Sequence, residues 1–333
     1  MKLPLKSTFR VSAGSADFRK NYFITIDYEV FGEAAGSVFY GPNEEQIRAD
    51  LETAGLFLKD SNIRTPAVLD ELADLEINTV SRAAVSGLIV NYLSKVNSVF
   101  PWRLFGLDEP SRLITSYTIS LDDPAKMYDR IVASPYPVIK IKLGSDNDEE
   151  LIKALAMIMG KVFRIDANGG WDPEKAERMI YLLNNLDIQL IEQPTDIKSI
   201  HDWKYIKGHS KIPLILDEGL NTLDDYIRYG DHIDGVNIKM AKSGGITEGI
   251  KIARRARRDK LKVMLGCMVE SSVALSQAVY MASLADYYDF DGPILLEEMI
   301  AGGIDFNLEK VSVDEDIIGG PKIKKEFLNA RMD

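Results

Sequence analysis

A single cysteine and three histidines are all that this chain of 333 residues holds in soft or imidazole ligands. With Cys267 alone, no intrachain disulfide can form, and a reducing compartment fits. Cys267 could be a nucleophile, but His201, His209 and His232 lie in polar or connecting segments, so a Cys–His pair is a poor reading. No apolar run approaches the roughly 18 residues that span a bilayer, and no signal-peptide core follows Met1-Lys2. A cytoplasmic protein without membrane partners is the expectation. Positive charge is also short: 40 Lys and Arg against 51 Asp and Glu leave a net charge of −11, which repels a phosphate backbone and disfavours nucleic acid as a partner. The cluster Arg254, Arg255, Arg257, Arg258 and Lys260 reads as a solvated helix face.

What is present is a chain long enough for a large α/β barrel plus a smaller domain. Up to about Tyr40 the pattern is strand, loop, strand: Thr8 to Val11, a polar loop from Ser12 to Lys20, then alternation from Tyr22 to Val30, broken by Gly32-Glu33-Ala34-Ala35-Gly36. Helical patterns follow from about Asn43 to Phe57, Pro66 to Leu75 and Ser81 to Asn97. After Pro110 the rhythm changes. Short apolar runs alternate with amphipathic windows: Ile114 to Leu121, Val138 to Leu143, Val162 to Ala167, Ile188 to Ile191, Leu214 to Leu216, Val236 to Met240, Val263 to Met268 and a weaker Tyr287 to Phe290. Eight strands alternating with helices predict a parallel sheet, more naturally closed than open. The expected domains are an α+β unit, 1–112, a barrel, 113–304, and a segment, 305–333, that packs back on the first unit.

The run Val138-Ile139-Lys140-Ile141-Lys142-Leu143 ends at Gly144. Alternate residues of a strand share a face, so Lys140 and Lys142 point the same way, about 7 Å apart. Burial and like charge would lower a lysine's pKa toward that of a general base; an edge strand with solvated lysines is the other reading of this run. Further polar groups stand at the ends of the following runs: Asp166 and Asn168, Glu192, Asp217, and Lys239. From Lys142 to Asp166, Glu192, Asp217 and Lys239 the steps are 24, 26, 25 and 22 residues, each close to one βα repeat. In a barrel these ends converge on one face, where active sites of the fold lie. Three converging carboxylates require a cation, and oxygen donors alone select a hard ion, Mg²⁺ first. A lysine on either side suits proton exchange at a carbon next to a carboxylate. Gly169-Gly170 and Ser243-Gly244-Gly245 lack phosphate-loop spacing and read as tight turns.

These motifs resemble the enolase superfamily, in its muconate lactonizing enzyme subgroup, and most of all its dipeptide epimerase branch. The likeness takes in Gly32-Glu33-Ala34-Ala35 and Ser81-Arg82-Ala83-Ala84-Val85 of the first domain. It implies a modified (β/α)7β TIM-like barrel under an α+β capping domain. It implies Asp166, Glu192 and Asp217 as metal ligands and Lys142 and Lys239 as the acid/base pair. Lys140 takes the place of the first lysine of a Lys-x-Lys pair, with Asn168, Glu218 and Lys242 in supporting positions. The subgroup also holds N-acylamino acid racemases, o-succinylbenzoate synthases and cycloisomerases. Asp289-Phe290-Asp291-Gly292-Pro293 resembles the Asp-x-Asp signature that holds a dipeptide's α-ammonium, where the plain alternative is a turn with solvated acids. Gly266-Cys267-Met268-Val269-Glu270-Ser271-Ser272 resembles the branch's seventh-strand motif, which makes Cys267 and Met268 pocket lining.

The implied reaction is a Mg²⁺-dependent inversion of the α-carbon of the C-terminal residue of an L,L-dipeptide, through an enediolate. A non-catalytic protein on the same barrel is the alternative from another class. Sequence leaves the preferred dipeptide and any homo-oligomer open. In relatives that act on Ala-Glu, an arginine in the Ser12-to-Lys20 loop pairs with the substrate's side-chain carboxylate. Ala16 stands at that place, with Phe18 and Arg19 nearby, so a dipeptide ending in an uncharged or basic residue is expected to serve better. Arg10, Arg19 or Lys20 could substitute for the missing cation.

Overall fold

The computed structural model describes residues 1–11, 14–36 and 41–329. The eight apolar runs after residue 112 all contain parallel strands, in barrel order: Tyr117–Ile119, Val138–Lys142, Val162–Asp166, Ile188–Glu192, Leu214–Leu216, Gly235–Lys239, Lys262–Gly266 and Tyr287–Asp289. Each runs parallel to its neighbour. A parallel bridge between Thr115 and Tyr288 joins the eighth strand to the first. Amphipathic helices such as Pro173–Leu183 lie outside. Ala176, Met179, Ile180 and Leu183 recur there at helical spacing and are buried against the strands. Asp172 accepts from Lys175 N at 2.7 Å and Pro173 opens the helix, so cap and first-turn proline fix its start.

The first run is shorter in the barrel than its sequence suggests. Leu113–Ile114 pairs instead with Lys310–Val313, which pairs with Ile304–Asn307, so this stretch belongs to a small antiparallel sheet. Gly319 N donates to Ser94 Oγ at 3.2 Å, and Lys322–Ile323 pairs with Ala301–Gly302.

The first domain corrects two expectations. Residues 14–20 are not a loop: Gly14–Lys20 is a strand, antiparallel to Lys2–Val11, with Ala16 opposite Phe9 and Arg19 opposite Leu3. Small, polar residues hid it, since Gly, Ser, Ala and Asp have weak strand propensity and pairing decides. Ser12 and Ala13, and the aromatics Phe39 and Tyr40, lie outside the described residues. Nor does the Gly32-Glu33 stretch break a strand. Tyr22–Ile26 turns at Asp27 and Tyr28, both at positive φ, and pairs with Val30–Ala34. Gly32 is needed in that second strand because a Cβ there would stand 2.0 Å from Ala84 O. Ala84 belongs to the helix Thr79–Asn97, buried on nearly every face between this hairpin and the barrel. Gly32→Ala is expected to cost about 2–3 kcal/mol by overpacking and to lower the thermal midpoint by several degrees. Calorimetry checks this, and an unchanged midpoint would mean that the backbone gives way freely.

Candidate active site

The antiparallel hairpin of the first domain reaches the barrel mouth. Leu121 N donates to Arg10 O at 3.1 Å, and Arg10 pairs with Asp122 at 3.2 Å just beyond the first strand. Under this lid, register sets the polar strand ends side by side. Lys142 is the direct partner of Asp166, and Asp166 of Glu192. Lys239 faces Gly266, which faces Asp289.

Asp166, Glu192 and Asp217 are wholly buried, and one carboxylate oxygen from each lies within 4.8 Å of the others. Lys142 Nζ is 2.6 Å from Asp166 Oδ2, and Lys239 Nζ 2.6 Å from Asp217 Oδ2 and 3.9 Å from Glu192 Oε1. Lys242 also pairs with Asp217. Lys140 sits among three carboxylates, 2.9 Å from Asp166, 2.7 Å from Glu192 and 2.8 Å from Asp289. Burial pushes the Lys140 ammonium down, but the charges of Asp166, Asp289 and Glu192 outweigh it and hold Lys140 well above the ordinary lysine range. The expectation of a lowered pKa therefore fails at Lys140, because the facing carboxylates were not in the strand's own sequence.

The acids split by environment. Burial raises Asp166, yet Lys140 and Lys142 bring it down to about 2. Asp217, equally buried, is held well below the carboxylate range by Lys239 and Lys242. Glu192 is pushed up to about 8 by burial and by Asp166 and Asp217 beside it. Its Oε2 meets Lys140 only outside hydrogen-bond geometry. A buried, oxygen-only set with one carboxyl kept from ionising by its neighbours fits a hard divalent cation, so Asp166, Glu192 and Asp217 would hold Mg²⁺.

Asn168 donates to Glu218 Oε1 at 2.8 Å, and its N–H caps Asp166 Oδ1 at 3.0 Å. Burial, with Asp217 and Asp166, raises the Glu218 carboxyl. Asp289 and Asp291 are both buried at the end of the eighth strand, not solvated turn acids. Asp289 accepts from Lys140 Nζ at 2.8 Å and from Ser116 Oγ at 2.7 Å; Asp291 accepts from Thr118 N at 2.7 Å. Burial and Asp289 push Asp291 up to about 7, so this pair too is a place for a cation. Cys267 Sγ accepts from Gly292 N at 3.3 Å. Burial, Glu270 and the two aspartates raise its thiol well above the usual range, which opposes a thiolate nucleophile. Met268 N donates to Glu270 Oε2 at 3.3 Å in the same turn.

Sequence reasoning passed over several residues that tie this site together. Gln193 Oε1 accepts from Asp217 N at 3.0 Å, and Asn237 Nδ2 donates to Glu192 Oε1 at 2.8 Å. Glu33 of the first domain receives Asn21 Nδ2, Ser271 N and Ala274 N, capping the helix Ser272–Tyr280 from outside. Alternation was the available signal for Asn237 and for Arg164, each two residues before a strand-end group and so facing the same way. The glycine turns are where expected. A Cβ on Gly170 would stand 2.6 Å from Gly144 Cα, so the turns after Lys142 and Asp166 touch backbone to backbone. Gly170→Ala is expected to part them and to lower kcat/KM more than it lowers stability. Steady-state kinetics beside a thermal scan checks this; equal kcat/KM with a lower midpoint would contradict it.

Of the residues placed near substrate specificity, Ala16 is half-buried and Phe18 is 41% exposed with Lys2 over its ring. Arg19 is buried, its guanidinium 5.6 Å from the Phe9 ring centroid.

Residues 124–308 match the family described as Enolase C-terminal domain-like. An L-Ala-D/L-amino acid epimerase of Flavobacterium johnsoniae is 32% identical over 91% of both chains. An N-acetyl-D-glutamate racemase of Pseudoalteromonas is 35% identical over 82% of this chain and 86% of its own. The crystal structure of a dipeptide epimerase from Cytophaga hutchinsonii, complexed with Mg and D-Ala-L-Val, superposes with a TM-score of 0.90 at 24% identity, covering 99% of this chain and 95% of that one. With the barrel matched by its family model and lysines on the second and sixth strands flanking three carboxylates, the chain belongs to the enolase superfamily.

Proposed function

We propose that this isomerase is a dipeptide epimerase that inverts the α-carbon of the C-terminal residue of an L,L-dipeptide. The observation that carries the reading is that two strand-end lysines, Lys142 and Lys239, pair with Asp166 and Asp217 of the carboxylate cluster, to which the buried Asp289 is joined through Lys140, with Asp291 buried two residues on. On this reading residues 1–112, joined by 305–333, form the lid and 113–304 the catalytic barrel of a cytoplasmic enzyme. Asp289 and Asp291 receive the substrate's α-ammonium, which orients the other end toward Asp166, Glu192 and Asp217. When bound there, Mg²⁺ supplies positive charge beside the substrate carboxylate and offsets the charge that grows as the α-proton leaves. One lysine, neutral, takes the proton from Cα; the other, as ammonium, returns one to the opposite face. The roles exchange for the other stereoisomer, so both lysines end in the state opposite to that in which they began. Lys140 stays charged among its three carboxylates and serves as a fixed counter-charge. The relative named as an N-acetyl-D-glutamate racemase favours a second reading, an N-acylamino acid racemase. Two carboxylates would sit badly beside an N-acyl group that carries no positive charge. Assaying free-amine dipeptides beside N-acetyl and N-succinyl amino acids separates the two, and a preference for the blocked substrates would overturn the dipeptide reading.

The preferred dipeptide follows from where the lid's cations go. Arg10 is paired with Asp122, Lys20 with Glu44, and Arg19 is buried against Phe9. A glutamate side chain entering the partly desolvated mouth would lose hydration without a new partner. Ala-Glu is therefore expected to show a lower kcat/KM than dipeptides ending in uncharged or basic residues. Ala-Glu ahead of all of these by tenfold would show that one of the three cations turns inward.

A further inference from the structure

The eighth and first barrel strands share little backbone pairing, and side chains close the seam between them. The Thr115 and Tyr288 bridge is their only backbone link among the described residues. Phe290 N donates to Thr115 Oγ1 at 2.8 Å, and Thr118 N to Asp291 Oδ2 at 2.7 Å. Between these lies Ser116, wholly buried, whose Oγ is 2.7 Å from Asp289 Oδ1. Arg164, two residues before Asp166 on the third strand, crosses the barrel interior to the same point. Its Nη1 donates to Ser116 Oγ at 3.2 Å and to Tyr288 O at 2.5 Å, while Nε donates to Gln189 Oε1 at 2.8 Å.

A serine hydroxyl can donate or accept, and its proton is free to rotate. A guanidinium can only donate. With Arg164 donating to its oxygen, the Ser116 hydroxyl must turn its own proton to Asp289. Lys140 holds the other oxygen, Oδ2, so the Asp289 carboxylate is fixed at both ends, and each oxygen keeps an acceptor site for a further donor.

We propose that Ser116, set as a donor by Arg164, is a positioning residue that aims Asp289 at the substrate's ammonium group and so sets the preference for a free amine over an N-acylated one. This rests on the dipeptide reading above and names the parts that make it selective. Losing one hydrogen bond to a charged group is worth about tenfold in affinity. Ser116→Ala, which keeps volume and leaves the metal cluster untouched, should raise KM for free-amine dipeptides about tenfold with kcat within about twofold. It should also narrow the ratio of inhibition constants between an N-acetylated dipeptide and its free-amine form by a similar factor, because only the latter uses Asp289. Ser116→Cys, with a weaker donor of similar size, should fall between, and it carries the test if the alanine variant does not fold. Equal weakening of both inhibitors, or an unchanged KM, would overturn the proposal and leave the dipeptide reading standing. A parent enzyme that itself prefers the N-acetylated forms would overturn the reading of Asp289, and the proposal with it, before any variant is made.

Discussion

Lys142→Met and Lys239→Met are each expected to lower the rate of epimerisation by about a thousandfold, the range typical of a lost general acid or base. Methionine is close to lysine in length and carries no proton, so the barrel mouth keeps its packing. The carboxylates also keep cations: Lys140 remains 2.9 Å from Asp166, and Lys242 remains on Asp217. A loss of activity therefore reports the proton transfer and not the collapse of the cluster. Each variant should still exchange the α-proton of one stereoisomer with solvent, since its remaining lysine faces one side of Cα. The two variants should do so with opposite stereoisomers. Retention of full activity in both would remove the two-base mechanism, and loss of exchange toward both stereoisomers in either would mean that the lysines act as one unit.

Removal of the cation has the next largest effect. Chelation should abolish turnover, and Mg²⁺ should restore it, because Asp166, Glu192 and Asp217 together cannot hold a substrate carboxylate without added positive charge. Glu192→Gln should weaken Mg²⁺ binding by about a hundredfold or more in a calorimeter. Glu192 is the carboxyl that burial, Asp166 and Asp217 push up to about 8, so it gains most from an ion beside it. Binding should also stabilise the fold by about 2.7 kcal/mol once the ion is at about a hundred times its Kd, visible as a higher thermal midpoint. A midpoint that ignores Mg²⁺ in the parent chain would contradict the assignment of these ligands.

Much of this site could be read before any coordinates because barrel geometry turns sequence spacing into proximity. Polar groups at the ends of buried runs, one βα repeat apart, have few places to go but a common mouth. The alternation that put Lys140 and Lys142 on one face also put Arg164 with Asp166 and Asn237 with Lys239. The state of Lys140 was not legible, because the carboxylates of Asp166, Glu192 and Asp289 that hold its charge come from three other strands. Two strands of the first domain, Gly14–Lys20 and Val30–Ala34, were not legible either. Gly14 to Lys20 is a strand because Lys2 to Val11 pairs with it, and Glu33 is tolerated inside a buried strand because Asn21, Ser271 and Ala274 donate to its oxygens. Those causes lie outside the local window in which propensity is read. Ser116 had no sequence signal beyond lying inside the run from Ile114 to Leu121, and its importance comes from the closure of the seam.

In the proposed reaction one proton leaves and one returns at the α-carbon of a dipeptide's C-terminal residue. A library of L,L-dipeptides incubated with the enzyme and Mg²⁺ in deuterated water, scored by mass and by separation of stereoisomers, tests it most directly. A gain of one deuteron at that carbon alone is expected, with the L,D product appearing for dipeptides that end in uncharged or basic residues. Deuterium entering N-acylated amino acids while every free-amine dipeptide stays unlabelled would contradict it.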